Sequence, residues 1–210
     1  MGMTLTPPAT GLARALALAL TLVLSILPVG CAQLPGSAAQ QTPQRAPRAS
    51  IVAFTFSGRI AVQQDGRNHV SNINWQHAAA RDEILLTSPL GQGLAELTRD
   101  SAGAHLKLAD RREFAAADWE GLAAQVFGMP LPLSALPRWL VGDIPAGAQS
   151  IALDETGRPR QVLIDGWRIG YLDYESASAN ALPTLIELQR GDIEMRLKVN
   201  EWIDDGQLPQ

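Results

Sequence analysis

A chain with one cysteine in 210 residues cannot close an internal disulfide, so the disulfide-framed folds of small secreted domains are excluded. Histidine is nearly as scarce: His69, His77 and His105 fall at spacings that make no metal motif, and there is no second thiol to complete one. Nucleotide-binding loops are missing as well. No P-loop occurs, and the "GQG" at Gly91 lacks both the third glycine and the strand-then-helix setting of a dinucleotide fingerprint. No Gly-x-Ser-x-Gly elbow is present, and Ser57 in "FSGR" lies inside a strand-like stretch. The paired acids Asp82-Glu83 and Asp204-Asp205 read as solvated turn and tail charges, and Arg190-Gly191-Asp192 as a hairpin turn. Nothing converges on catalysis, so neither an enzyme nor a metal site is expected. Basic residues are outnumbered 17 to 21 by acidic ones, which argues against nucleic acid as a partner and against a body held on anionic lipid by basic patches. Long hydrophobic runs are also lacking. The apolar stretch "ALALALTLVLSIL", Ala15 to Leu27, falls short of the about 20 residues that a membrane-spanning helix needs.

That stretch has instead the length of a signal-peptide core, preceded by a single positive charge, Arg14, and no acid. Residues 1–30 are therefore expected to be a signal that is removed on export, leaving a formal charge of −5. The lone cysteine, Cys31, follows at once in "LPVGCAQ". An exported chain with one thiol has no partner for it, and the position resembles the lipobox of bacterial lipoproteins, in which the cysteine is acylated and becomes the new N-terminus. It departs from the usual pattern in having Pro28 three residues before the Cys, with Leu27 one place further out. Covalent acyl chains on Cys31 are the expected anchor and no other cofactor is implied; one chain binds a membrane weakly, two or three stably. Ala32 beside the Cys, rather than Asp, implies the outer membrane by the sorting rule for such lipoproteins. The following "AQLPGSAAQQTPQRAPRAS" has no hydrophobic periodicity and reads as a disordered tether, so that residues 31–50 are anchor and linker.

From Ile51 the hydrophobic period is two. "FTFSGRIAV" puts Phe54, Phe56, Ile60 and Val62 on one face, with Gly58 where a large residue belongs. Short turns at "QQDGRN", "RDSAG", Asp165-Gly166 and Arg190-Gly191-Asp192 make the neighbours antiparallel, and Ile193, Met195, Leu197 and Val199 share an apolar face. In mid-chain the period becomes helical. Asp118 is the expected N-cap of "WEGLAAQVFG" with Gly128 as its stop, and Ser134 the expected cap of "ALPRWLVG". About ten strands in one antiparallel sheet must curl, either closing as a barrel or remaining an incomplete one, with the two short helices over one face or end. The five tryptophans, Trp75, Trp119, Trp139, Trp167 and Trp202, suit a packed core or the wall of an incompletely filled interior. One further stretch stands apart: in "TSPLGQG" the turn residues hold Leu90, a leucine that gains nothing at a turn unless it has an apolar place to go.

In order along the chain, "FSGRIAV", "NINWQ", "ILLTSPLGQGLAEL", "MPLPLSALPRWLVG", "GWRIGYLDY" and "RGDIEMRLKVNEW" resemble the LolB family of outer-membrane lipoprotein receptors, over Phe54 to Trp202 together with Cys31. The resemblance implies a mainly β fold, an unclosed antiparallel β-barrel with a short helical lid, over residues 51–205, leaving 206–210 as a tail. It implies a receptor, not an enzyme, lipid-anchored in the outer membrane and facing the periplasm. Such a receptor accepts triacylated lipoproteins from the soluble carrier LolA in an apolar cavity and passes them to that membrane, and a monomer is expected. It also implies that Leu90, flanked by Pro89 and Gly91, is the exposed leucine of a membrane-insertion loop. Candidate cavity and lid residues are Phe56, Ile60, Trp75, Trp119, Leu136, Trp139, Leu140 and Leu197. A soluble carrier of the LolA type, a structural envelope lipoprotein without ligand and an envelope hydrolase are the alternatives.

Overall fold

The computed structural model describes residues 48–128, 131–144 and 146–203; the expected signal, Cys31, the expected tether up to residue 47 and the expected tail lie outside them. Strands β1 (Ala53–Gln64), β2 (Arg67–Ala78), β3 (Arg81–Thr87), β4 (Gly93–Asp100), β5 (Gly103–Leu108) and β6 (Glu113–Ala116) come first. Helices α1 (Trp119–Phe127) and α2 (Leu136–Leu140) follow, then β7 (Ser150–Leu153), β8 (Pro159–Ile164), β9 (Trp167–Tyr174), β10 (Pro183–Arg190) and β11 (Ile193–Ile203). All eleven strands form one antiparallel sheet in the order β6-β5-β4-β3-β2-β1-β11-β10-β9-β8-β7. The first and last strands of the chain's two halves meet at the centre, β1 on β11, and β6 and β7 are left as edges. The barrel is thus unclosed, with one strand more than the about ten expected.

Local chemistry sets the turns. Asp65-Gly66 and Asp165-Gly166 both take positive φ at each residue, the conformation in which a two-residue connection matches the twist of its strands. On β1 the alternation buries Phe54 and Phe56, and Gly58 sits at a register shift against β11. A Cβ at Gly58 would stand 2.4 Å from the backbone oxygen of Lys198, so the missing side chain there is what lets β11 approach.

One face of the sheet carries the core. Phe54, Phe56, Trp75 and Trp202 form an aromatic cluster with ring centroids 5.2 to 6.1 Å apart. Trp139 of α2 packs on Trp167, and Tyr171 donates its hydroxyl to the Trp139 carbonyl at 2.8 Å, which fixes α2 to β9. All five tryptophans are buried. Helix α1 lies against β5 and β6, where Trp119 and Leu122 meet Ala104 and Leu106. Its Asp118 cap accepts from the Gly121 N–H at 2.8 Å, and Gly128 ends it in the left-handed conformation. Ser134, in contrast, is not the cap of α2. Ala135 holds that position without a side-chain bond, because Ser134 is turned to α1, donating from both backbone N–H and hydroxyl to the Glu120 carboxylate. The two helices are thereby joined to each other.

Candidate functional site

Between the sheet and the helices lies a cavity of about 400 Å³. Its walls are Ile60, Val62, Ile73, Trp75, Ile84, Leu86, Leu97, Ile193 and Met195 from the sheet, with Trp119, Leu131, Leu133 and Leu136 from the helical segment. These strand residues share a face because β1, β2, β3, β4 and β11 are in register, Ile60 beside Leu197 and Ser71, Trp75 beside Ile84, and Ile84 beside Leu97. The polar side chains that line it, Gln64, Asp65, Arg67, His69 and Ser71, come from the β1–β2 hairpin and lie toward its turn. Of the residues named from sequence, Ile60, Trp75, Trp119 and Leu136 line this cavity. Phe56, Trp139, Leu140 and Leu197 are buried in the packed core and do not. A larger hollow of about 1040 Å³ lies over β7 to β11, lined by Arg160, Arg168, Glu187 and Glu194 among others; its polarity unsuits it to an apolar ligand.

The β3–β4 loop is the second feature. Ser88 and Gln92 close it, the Ser88 N–H donating to the Gln92 carbonyl at 2.7 Å and the Gln92 N–H to the Ser88 hydroxyl at 3.1 Å. Within it the Gly91 N–H donates to the Ser88 carbonyl at 2.8 Å, so Pro89 and Leu90 are the corner residues of a tight turn. Gly91 has φ +85°, which a side chain would strain. Asn72 of β2 donates from its side-chain amide to the Ser88 carbonyl at 3.0 Å and ties the loop's base to the sheet. The result is a leucine held outward by backbone structure: Leu90 is 89% exposed. Because Asn72 pairs with Thr87, the loop emerges at the same end of the sheet as the Asp65-Gly66 turn, which is the polar end of the cavity.

A third feature corrects the sequence reading. Asp82, expected as a solvated turn charge, is 0% exposed. Its Oδ1 accepts from Trp75 Nε1 at 2.9 Å and faces His77 Nδ1 at 2.6 Å; its Oδ2 accepts from Arg99 Nε at 2.6 Å and Trp119 Nε1 at 3.3 Å. Burial pushes the carboxyl's pKa up, but the hydrogen bonds from His77, Trp75 and Arg99 outweigh it and hold the group below the usual carboxylate range. One carboxylate thus positions two tryptophans of the cavity wall, one on the sheet and one on α1. The signal was present in the sequence. Asp82 has the parity of Ile84 and Leu86, and β3, which begins at Arg81, carries it on the inner face. Glu83, with the opposite parity, pairs with Arg81 at the surface. Among the described residues no group of His, Cys, Asp and Glu is arranged to hold a metal ion.

Comparison with known proteins agrees with this geometry. The family model of "Outer membrane lipoprotein LolB" matches residues 52–202. The chain is 38% identical to the outer-membrane lipoprotein LolB of Azoarcus sp. (strain BH72) over 173 residues, 80% of this chain and 89% of that one. It is 36% identical to that of Thiobacillus denitrificans over 151 residues, 71% and 80% of the two chains. A solved LolA-superfamily structure from Nitrosomonas europaea superposes with a TM-score of 0.42 at 8% identity, over 78% of this chain and 94% of that one, a likeness too slight to bear on function. With a family model matched from residue 52 to 202 and relatives at 36 to 38% identity, the chain belongs to the outer-membrane lipoprotein LolB family.

Proposed function

We propose that the protein receives triacylated lipoproteins from the periplasmic carrier LolA and transfers them to the outer membrane. On this reading it is itself held there by acyl chains on Cys31, with residues 32–50 as a tether and the body acting as a monomer. The observation that supports the reading is the shared end of the sheet: the apolar cavity has its polar rim where Leu90 projects, so acyl chains leaving the cavity emerge beside the leucine. Three chains of about 16 carbons, at about 0.8 kcal/mol per CH₂, would cost tens of kcal/mol to leave in water, which is why cargo must pass from one apolar site to the next. A methylene fills about 30 Å³, the share of a water molecule, so the volume of the cavity is of the order of a single acyl chain. Full loading requires α1 and α2 to move off the sheet. No nucleotide is needed if each successive site binds more tightly.

Leu90 has a defined share in this. Burying an exposed leucine in lipid gains about 1.5 to 3 kcal/mol, enough to orient a tethered body and too little to anchor it. The test scores transfer from carrier to protein separately from incorporation into liposomes. Leu90→Glu is expected to fold, to accept cargo and to deliver it poorly, while Leu90→Phe remains active. Failure of Leu90→Glu at the first stage would make Leu90 a carrier-docking residue and overturn the membrane role.

A further inference from the structure

The face of the sheet opposite the core is not uniformly polar. Beside the Leu90 loop it presents Val70 of β2, Leu85 of β3 and Leu94 of β4, each between 38 and 47% exposed, where alternation would place polar residues. The same register that joins these strands continues this outward row into cations. Thr87 pairs with Asn72, Asn72 with Arg59 of β1, and Arg59 with Lys198 of β11, so at about 4.8 Å per strand the two cations stand within two or three strands of the loop's base. Arg59 and Lys198 are exposed and have no ion-pair partner among the described residues, whereas their neighbour Arg196 is engaged by Glu187 at 3.4 Å. Acids share this side: Glu96 pairs with Leu85, Glu83 precedes Leu85 by two residues on β3 and is engaged by Arg81, Glu187 is engaged by Arg196, and Glu201 and Glu194 stand toward the two ends of β11. The chain's net negative charge argues against attachment to anionic lipid through the body as a whole, and this local combination of unpaired cations with exposed aliphatics is the exception that suits such a surface.

We infer that this outer face, and not the Leu90 tip alone, lies against the membrane, with Arg59 and Lys198 meeting the phosphates of anionic lipid headgroups and Val70, Leu85 and Leu94 resting at the interface. The inference builds on the membrane role proposed for Leu90 and the anchor proposed at Cys31.

The test uses the mature-length chain from residue 31 with Cys31→Ala, so that the body's own contact is measured, on vesicles of phosphatidylcholine alone and with added phosphatidylglycerol. Arg59→Gln with Lys198→Gln should weaken binding to the phosphatidylglycerol vesicles roughly 30-fold, about fivefold per charge, and leave binding to phosphatidylcholine unchanged. Leu90→Glu should weaken both. An environment-sensitive dye on Leu85→Cys should shift to the blue on binding. Unchanged affinity in the double variant, or a dye response at Leu90→Cys but none at Leu85→Cys, would overturn the outer-face contact and leave the loop reading standing. Loss in the double variant with no effect of Leu90→Glu would do the reverse. If the double variant binds vesicles normally but no longer takes cargo from the carrier, the face docks a protein and the lipid assignment is wrong.

Discussion

Asp82→Ala removes an acceptor that four side chains share, and its cost follows from what is left behind. The Trp75 and Trp119 indole N–H groups remain buried without a partner, and Arg99, whose side chain is 26% exposed, loses the carboxylate it contacts through both Nε and Nη2 at 2.6 Å. Breaking a buried pair by deleting one partner costs about 3 to 5 kcal/mol, against a total stability of about 5 to 15 kcal/mol for a domain. With a urea slope of about 2 kcal/mol/M, the unfolding midpoint should fall by roughly 2 M. Asp82→Asn keeps one carbonyl acceptor but no charge for Arg99, and should fall between wild type and Asp82→Ala. The neighbouring Glu83→Ala breaks only a surface pair with Arg81 and should cost about 0 to 1 kcal/mol. The pH dependence has a defined sign. A carboxyl with a folded pKa below its unfolded value contributes stability that is present above about pH 4 and is lost as pH falls through the folded pKa. The acid limb of wild-type stability should therefore be shallower in Asp82→Asn. The assay is equilibrium urea unfolding of the Cys31→Ala chain, followed by tryptophan fluorescence across that pH range. An Asp82→Ala loss below about 1 kcal/mol would refute the claim that this network holds sheet and helix together.

Ile60→Asp places an unpaired charge on the cavity wall and should abolish binding of a fluorescent fatty-acyl probe in folded protein, whereas Leu172→Asp, on an exposed outer position, should leave it intact; equal affinities would mean that the cavity is not the acyl site. Gly58→Ala drives a methyl group into the Lys198 carbonyl and should destabilise by about 1 to 3 kcal/mol or more in the same unfolding assay, with a β1–β11 seam that exchanges its amides faster. Cys31→Ala should abolish acylation and release the body from membranes while leaving its urea midpoint unchanged, as mass spectrometry and fractionation of the exported chain would show, because no other cysteine exists.

By itself the sequence determined the alternation that builds the sheet, the turns that make it antiparallel, and α1 with both of its ends. These depend on residues close together in the chain: Asp65-Gly66 and Asp165-Gly166 carry their own backbone preference, and Asp118 needs only Gly121 to act as a cap. The motif order also carried the family, and "TSPLGQG" was legible as a leucine out of place. What tertiary structure alone decided were questions of which buried residue faces space and which faces another side chain. Phe56, Leu197 and Ile60 have the same inward parity, yet only Ile60 borders the cavity, because the gap depends on how far α1, α2 and the 131–136 segment stand off each strand. Ser134 was drawn from its own helix by Glu120, 14 residues earlier, a competition invisible to local spacing. Asp82 had its parity written in the sequence, but a carboxylate at an inward position is tolerable only if donors arrive from elsewhere. Those donors come from β2, β4 and α1, at separations of 5 to 37 residues that only the folded sheet brings together.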